Sequence, residues 1–297
     1  MKKLVFVLII ALFLVAIGLI GWVVVEPILT EREIEQPVDT RMLFIGNSFT
    51  DYNELDQLVA NLVGDVNQND VYGQRVAPGG FRLIDHFETV EASEETMLRR
   101  LLVSGTAQAR DWDLIVMQEQ SQLPALGGEH MAGSPYIQQY AGQTSDTQML
   151  MMTWGYADGD SMNPNRFATF LQMQGYLVQG YDDLAAQMSA YGNKVYIAPA
   201  GLGFLAVYND LQAIGQDPLA ADSLFRQLYV ADGKHPSLQG SYLAAAIVAA
   251  SYTGKSMESA SWKPRGLDAE TAAYLRRIAD RVVFGNEFSD REYPWEE

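Results

Sequence analysis

Phe44-Ile45-Gly46-Asn47-Ser48-Phe49-Thr50 is the stretch that places a serine between an apolar run and an amphipathic one. The apolar run, Met42 to Ile45, predicts a first β-strand, and apolar residues at helical spacing predict a helix over residues 54–63. A serine at this junction lies at the carboxyl edge of a parallel sheet, where ligands bind, and near helix N–H groups that stabilise an anion. Alternatively, Asn47 and Ser48 only turn the chain and cap the helix.

The rest of the chain from Arg41 alternates short apolar runs with longer amphipathic stretches. This alternation predicts an α/β fold with a central parallel sheet in one domain over residues 41–297. Further strands are predicted at residues 71–77, 114–117, 148–153 and 194–198, and further helices at residues 96–103, 166–191, 238–252 and 268–283. Residues 118–147 are rich in Gly, Gln, Ser and Pro, which predicts a long loop or lid.

The composition excludes several classes of function. The 297 residues are 48% hydrophobic, enough for a buried core, and the formal net charge of -17 argues against a nucleic-acid partner. The chain has no cysteine, which excludes disulfides, thiolate metal sites and a cysteine nucleophile. Its three histidines, His86, His130 and His235, leave few places for a histidine base or a multi-histidine metal site.

Residues 1–25 begin with a methionine and two lysines and continue as an uncharged run of apolar residues and glycines. At about 1.5 Å per residue this run spans roughly the 30 Å hydrocarbon core, which predicts a single transmembrane helix that acts as a signal anchor. The alternative is a signal peptide whose cleavage yields a secreted protein, but no small-residue cleavage site follows the run. The basic start and the mostly acidic tether at residues 26–40 predict a cytoplasmic N-terminus and a periplasmic or extracellular domain.

A second motif, Asp232-Gly233-Lys234-His235-Pro236, precedes the predicted helix that starts at Leu238. A serine hydroxyl is a poor nucleophile until a base removes its proton, and histidine does this well when a carboxylate fixes its tautomer. One irregular turn can put Asp232 and His235 on the same side. The alternative is a surface turn in which the aspartate serves as a cap and the histidine is only exposed.

The two motifs together resemble the SGNH (GDSL-like) hydrolase family, and within it a branch whose first block begins Ile-Gly-Asn-Ser-Phe-Thr. Gly46-Asn47-Ser48 matches the Gly-x-Ser turn of the nucleophile, and Asp232 and His235 match the Asp-x-x-His block. The resemblance covers residues 41–253. It implies a flavodoxin-like three-layer α/β/α fold with a central parallel sheet, and catalysis by Ser48, Asp232 and His235.

The resemblance also implies an oxyanion hole formed by the backbone N–H groups of Ser48 and Gly80 and by a side-chain amide. The family's Gly-x-Asn-Asp block is replaced here by Gln118-Glu119-Gln120-Ser121, so Gln120 is expected to supply the amide, with Gln118 as the alternative. Four residues are candidates for the substrate pocket: Asn47, Gly79, Gln118 and Trp154.

The function implied by the resemblance is hydrolysis of carboxylic esters through an acyl-serine intermediate, without a metal or organic cofactor. Glycan O-acetyl groups are the expected substrate, and the membrane is contacted through the N-terminal helix. A lipase or lysophospholipase, an acyltransferase with the same triad, and a non-catalytic binding protein that keeps the fold remain as alternatives. His86 is expected to be an ordinary surface or packed histidine.

Overall fold

The computed structural model describes residues 38–103, 111–285 and 291–296. The chain divides into two units, Met1–Glu33 and Ile34–Glu297, and all the described residues belong to the second. The predicted anchor at residues 1–25 and most of the predicted tether therefore lie outside the described residues. Within the described ranges, no helix is both long enough and apolar enough to cross a bilayer.

Five parallel strands form the central sheet. They are β1 (Thr40–Ile45), β2 (Val71–Val76), β3 (Leu114–Met117), β4 (Gln148–Met151) and β5 (Val195–Ala198). Their order is β2-β1-β3-β4-β5, and every residue of β3, β4 and β5 is buried, as in parallel sheets covered on both faces. The predicted α/β fold with a central parallel sheet is confirmed, and its strand order is that of flavodoxin.

Helices flank this sheet. In chain order they are α1 (Ser48–Asp51), α2 (Leu55–Asn67), α3 (Leu83–Ala92), α4 (Met97–Leu102), α5 (Leu123–Leu126), α6 (Gln138–Thr144), α7 (Phe170–Ser189), α8 (Ala200–Ala213), α9 (Leu224–Gln227), α10 (Leu238–Thr253) and α11 (Ala269–Phe284). The alanine-rich helix α10 is buried throughout residues 240–251 and packs against α2, α8 and α11. The helix that follows the second motif is therefore an element of the core.

One expectation about the connecting segments is wrong, and one helix was not predicted. Residues 118–147 are not a long loop, because they form α5, α6 and two short 3-10 turns, each of which buries some of its apolar side chains. These helical turns were not predicted because they are too short to show a helical period and the segment is rich in glycine and glutamine. Helix α8 was not predicted, because two glycines in its first turn lower helix propensity, yet most of its residues are buried.

The sheet brings the ends of β1 and β3 together. These strands are neighbours, with Ile45 paired to Met117, and the N–H of Gln118 donates to the Ile45 carbonyl at 2.8 Å. Because the strand order reverses beside β1, the crevice beyond this end is the place where open α/β sheets bind ligands. Gly46 and Gln118 therefore begin the two loops that border the predicted site.

Candidate active site

Ser48 is the first residue of α1, directly after β1. Asn47 caps this helix from an extended conformation, and its Oδ1 accepts the N–H of Phe49 at 3.1 Å. A Cβ on Gly46 would lie 2.3 Å from Thr50 Oγ1, so the tight approach requires glycine. The turn therefore presents Ser48 at a helix start, where N–H groups have no acceptor within the helix.

The turn at residues 232–235 is held from outside by the loop after β4. Trp154 Nε1 donates to the Lys234 carbonyl at 3.0 Å, and the N–H of Ala157 donates to the Gly233 carbonyl at 2.8 Å. The contacts to this turn from its neighbours thus fix its backbone. These contacts involve backbone carbonyls of the turn, so they do not occupy the side chains of Asp232 and His235.

The structure brings Ser48, His235 and Asp232 into one line of hydrogen bonds. Ser48 Oγ lies 2.8 Å from His235 Nε2, and His235 Nδ1 lies 2.6 Å from Asp232 Oδ2. With the proton on Nδ1 donated to the carboxylate, Nε2 is the acceptor for the serine hydroxyl. This is the geometry that general-base activation of a serine requires.

Asp232 is stabilised as a carboxylate. Partial burial favours its neutral form, but hydrogen bonds from the His235 ring and from the N–H groups of Lys234 and His235 outweigh that effect and hold its pKa below the ordinary value. The side chain remains 43% exposed, and that of His235 26% exposed. The charged partner of the histidine therefore lies near solvent.

Gln118 supports the nucleophile turn and does not face the substrate. Its Oε1 accepts the Asn47 N–H at 3.1 Å and the Thr50 hydroxyl at 2.9 Å, while its Nε2 donates to the Glu119 carbonyl. The residue is only 1% exposed. Both ends of the amide are occupied, so its assignment as an alternative oxyanion donor and as a pocket residue is wrong.

Gly80 and Gln120 follow the two strands that border β1. Gly80 is exposed and has φ of 77°, a conformation that favours glycine. Gln120 Oε1 accepts the N–H of Gln122 at 3.0 Å, which leaves its Nε2 without a hydrogen bond inside the described ranges. The structure is compatible with both as donors, and their roles remain predictions.

Glu119 is a fully buried carboxyl group that the sequence reasoning missed. Its Oε1 accepts the N–H of Leu83 at 3.1 Å and that of Gln120 at 2.6 Å, so it links the start of α3 to the loop after β3. Burial raises its pKa, although these hydrogen bonds favour the charged form. In the sequence it stands between two glutamines and reads as part of a polar loop.

His86 lies beneath the nucleophile turn. Its Nε2–H donates to the Gly46 carbonyl at 2.7 Å, and the side chain is buried. Burial lowers the pKa of His86 to about 4, against the opposing effects of this hydrogen bond and of Asp85. His86 is therefore a packed, neutral histidine that supports Gly46.

Two residues predicted to line a pocket are instead buried. Trp154 is 0% exposed and stacks on Phe204 at a centroid distance of 4.3 Å, and Asn47 uses its Nδ2 to donate to the Phe81 carbonyl at 2.8 Å. Trp154 lies in the core after the end of β4, where its indole N–H supports the histidine turn. Gly79 is exposed and stays a candidate.

Phe49 and Tyr52, two aromatic residues that the sequence did not single out, pack on the ring of His235. The signal available in the sequence was their position within four residues of Ser48. Among the described residues, no cluster of three or more histidine, aspartate or glutamate side chains is arranged to hold a metal ion.

No family model and no curated protein matches the sequence significantly. Among solved structures, a DUF4886 family protein from Bacteroides uniformis matches with a TM-score of 0.61 and 18% identity, over 84% of this chain and 97% of that chain. A candidate SGNH hydrolase from Slackia heliotrinireducens matches with a TM-score of 0.51 and 26% identity, over 71% of this chain and 97% of that chain.

The first likeness shows the shared fold, and the second joins that fold to a sequence similarity across nearly all of the Slackia protein. The motif order predicted from the sequence, the flavodoxin-like sheet and this match agree with one another. The resemblance of this chain to the SGNH/GDSL-like hydrolase family is therefore confirmed.

Proposed function

We propose that the protein hydrolyses carboxylic esters, with Ser48 as the nucleophile, His235 as the general base and Asp232 as its orienting carboxylate. The observation that carries the proposal is the unbroken hydrogen-bond line from Asp232 through His235 to Ser48, with distances of 2.6 and 2.8 Å. Such a line is needed for proton transfer from a serine hydroxyl and is not needed for packing.

The proposed reaction has two halves. Ser48 Oγ attacks the ester carbonyl carbon while His235 Nε2 takes the hydroxyl proton, and the collapse of the tetrahedral intermediate releases the alcohol, which receives that proton. Water then attacks the acyl-Ser48 ester, again giving its proton to His235, and the acid leaves as the serine is restored. The Ser48 and Gly80 N–H groups and the Gln120 amide are the proposed donors to the oxyanion in both halves.

We further propose small acyl groups, such as O-acetyl groups on extracellular glycans, as the substrate. The support is the predicted location: an apolar run at residues 4–25 with two lysines before it would anchor the domain to a membrane and leave it outside the cytoplasm. A bilayer location also suits a lipase, so the length of the acyl chain is the property that separates the two substrate classes.

The direct test is labelling of the detergent-solubilised full-length protein with a fluorophosphonate, followed by mapping of the adduct. Wild type is expected to carry one adduct on Ser48, and Ser48→Ala none, with an unchanged melting temperature. The matched control is Ser223→Ala, since Ser223 caps the separate helix α9. Absence of an adduct from wild-type Ser48 would overturn the ester hydrolase.

Turnover of p-nitrophenyl esters then defines the reaction. Acetate is expected to be released faster than long-chain acids, whereas the reverse preference would indicate a lipase. An acceptor sugar that raises acylated product without free acid would indicate transfer. Gln120→Ala is expected to lower turnover about 100- to 1,000-fold, the usual cost of one lost oxyanion donor.

A further inference from the structure

The imidazole of His235 is confined by aromatic rings on the segment that carries the nucleophile. Tyr52 stacks on it with ring centroids 4.6 Å apart and an interplanar angle of 12°, and Phe49 packs at 5.3 Å with a tilt of 50°. Phe49 is buried, whereas Tyr52 is 37% exposed. Tyr52 therefore covers the histidine at the surface of the site.

The backbone beside Tyr52 adopts an unusual conformation. Asn53 has φ of 58° and Glu54 has φ of 54°, so two consecutive residues other than glycine occupy the left-handed region. Such residues persist only where the surroundings hold them, and they cluster at functional sites. The chain thus maintains a disfavoured turn at the point that places Tyr52 on the imidazole.

Contacts to the histidine side of the site hold this turn. Asn53 Nδ2 donates to the Pro236 carbonyl at 3.3 Å and to Ser241 Oγ at 2.9 Å, and the Ser241 hydroxyl donates to the Tyr52 carbonyl at 3.3 Å. Pro236 directly follows His235. The ring of Tyr52 and the backbone of the histidine turn are therefore fixed to each other.

The ring of Tyr52, and not its hydroxyl, makes this contact. Inside the described ranges no hydrogen bond of the Tyr52 hydroxyl is found. An aromatic face can also attract a cation, and the imidazole becomes an imidazolium when it takes the serine proton.

We propose that Tyr52 is a positioning residue that holds the His235 ring between Ser48 and Asp232 and stabilises the imidazolium formed during acyl transfer. The inference rests on the proposed ester hydrolysis. Tyr52 contacts the face of the imidazole, whereas Asp232 contacts its edge at Nδ1.

Tyr52→Phe and Tyr52→Leu separate the aromatic face from simple bulk. In the full-length protein, Tyr52→Phe is expected to keep kcat within about twofold of wild type, and Tyr52→Leu to lower kcat about tenfold with little change in KM, because only leucine lacks the π face. Melting temperatures measured beside the kinetics report the fold of each variant.

A second readout does not depend on activity. Protein labelled with ¹⁵N only in histidine has three rings, and His86→Gln and His130→Gln assign the His235 signals. Wild type and Tyr52→Phe are expected to show the tautomer protonated on Nδ1, and Tyr52→Leu a mixture of tautomers.

The two readouts decide the proposal. A folded Tyr52→Leu with the wild-type tautomer and wild-type kcat would overturn the role of Tyr52 while leaving ester hydrolysis intact. Wild type without a fluorophosphonate adduct would overturn ester hydrolysis instead, and the tautomer comparison would still decide whether Tyr52 holds the ring.

Discussion

The two sides of the Ser48–His235 hydrogen bond are supported by different kinds of contact. On the nucleophile side, buried polar side chains from other elements bond to the turn: Gln118 accepts from Asn47 and Thr50, and His86 donates to the Gly46 carbonyl. Those supports belong to the core. Their loss leaves buried donors and acceptors without partners, at a cost of about 1–3 kcal/mol for each group.

On the histidine side, the supports act on the backbone and on the face of the ring. Trp154 and Ala157 bond to carbonyl groups of the turn, and the side chains of His235 and Asp232 stay partly exposed. Substitutions of these side chains alter proton transfer between Ser48, His235 and Asp232 but remove few buried contacts. We therefore expect substitutions on the serine side to lower both activity and stability. Substitutions on the histidine side are expected to lower activity with little change in stability.

Asp232→Asn is expected to have the largest effect and tests the histidine side. An asparagine keeps an oxygen for the N–H groups of Lys234 and His235, but its NH₂ favours the histidine tautomer whose Nε2 carries the proton and cannot accept another. We expect kcat to fall about 1,000- to 10,000-fold, as when other triads lose this carboxylate. The free energy of unfolding should change by less than about 1 kcal/mol, because the side chain is half-exposed.

Esterase kinetics and urea unfolding of the same preparation measure both quantities for Asp232→Asn. A loss of less than tenfold in kcat would contradict the proposed role of Asp232. A large loss of stability would contradict the separation of activity from stability on this side.

Gly46→Ala breaks the serine side. The added Cβ would lie 2.3 Å from Thr50 Oγ1 and 2.7 Å from Gln118 Oε1, which are buried and bonded to each other. We expect the free energy of unfolding to fall by about 3 kcal/mol, as in other overpacked cores, and activity to fall with it. Urea unfolding measures the first and ester turnover the second.

The matched control for Gly46→Ala is Gly175→Ala on the exposed face of α7. No atom lies within 4 Å of the Cβ added there, so alanine is expected to stabilise the helix by about 0.5–1 kcal/mol. Equal stability of wild type and Gly46→Ala would show that the nucleophile turn can accommodate a Cβ at residue 46, which would contradict the close contacts seen there.

The sequence predicts the sheet for a simple physical reason, whereas the meeting of Ser48 with His235 is implied only by the resemblance to the SGNH family. Apolar runs of strand length mark β1 and β3, and parallel strands that share an edge bring their following loops together. It does not predict which polar side chain after β3 turns inward. Gln118 and Gln120 are the same residue type, and Gln118 is distinguished only by its contacts with Asn47 and Thr50 in the folded chain.

The stacking of Tyr52 could not be predicted for a different reason. Helix α2 starts after Glu54, which lies in the left-handed region and provides no side-chain cap. Local preference argues against that turn, and the bonds of Asn53 to Pro236 and Ser241 help to hold it. Those partners lie more than 180 residues away in the sequence.

The smallest expected effect is a pH dependence of stability that comes from His86 on the serine side. The pKa of His86 is about 4 in the folded chain against an ordinary value of 6.5, so between these values the unfolded chain binds a proton that the folded chain does not. Stability is therefore lost as the pH falls below about 6.5. From pH 7 to pH 5 the loss from this group is about 2 kcal/mol, at about 1.36 kcal/mol per unit.

His86→Gln keeps a donor for the Gly46 carbonyl and removes the titration. Urea unfolding at pH 7 and at pH 5 is expected to show that wild type loses about 2 kcal/mol more than the variant over this interval. Asp232 and Glu119 are the same in both proteins, so their titrations cancel in the difference. If both proteins lost equal stability, the imidazole beneath Gly46 would accept a proton without opening the turn, and the serine side would be as tolerant as the histidine side.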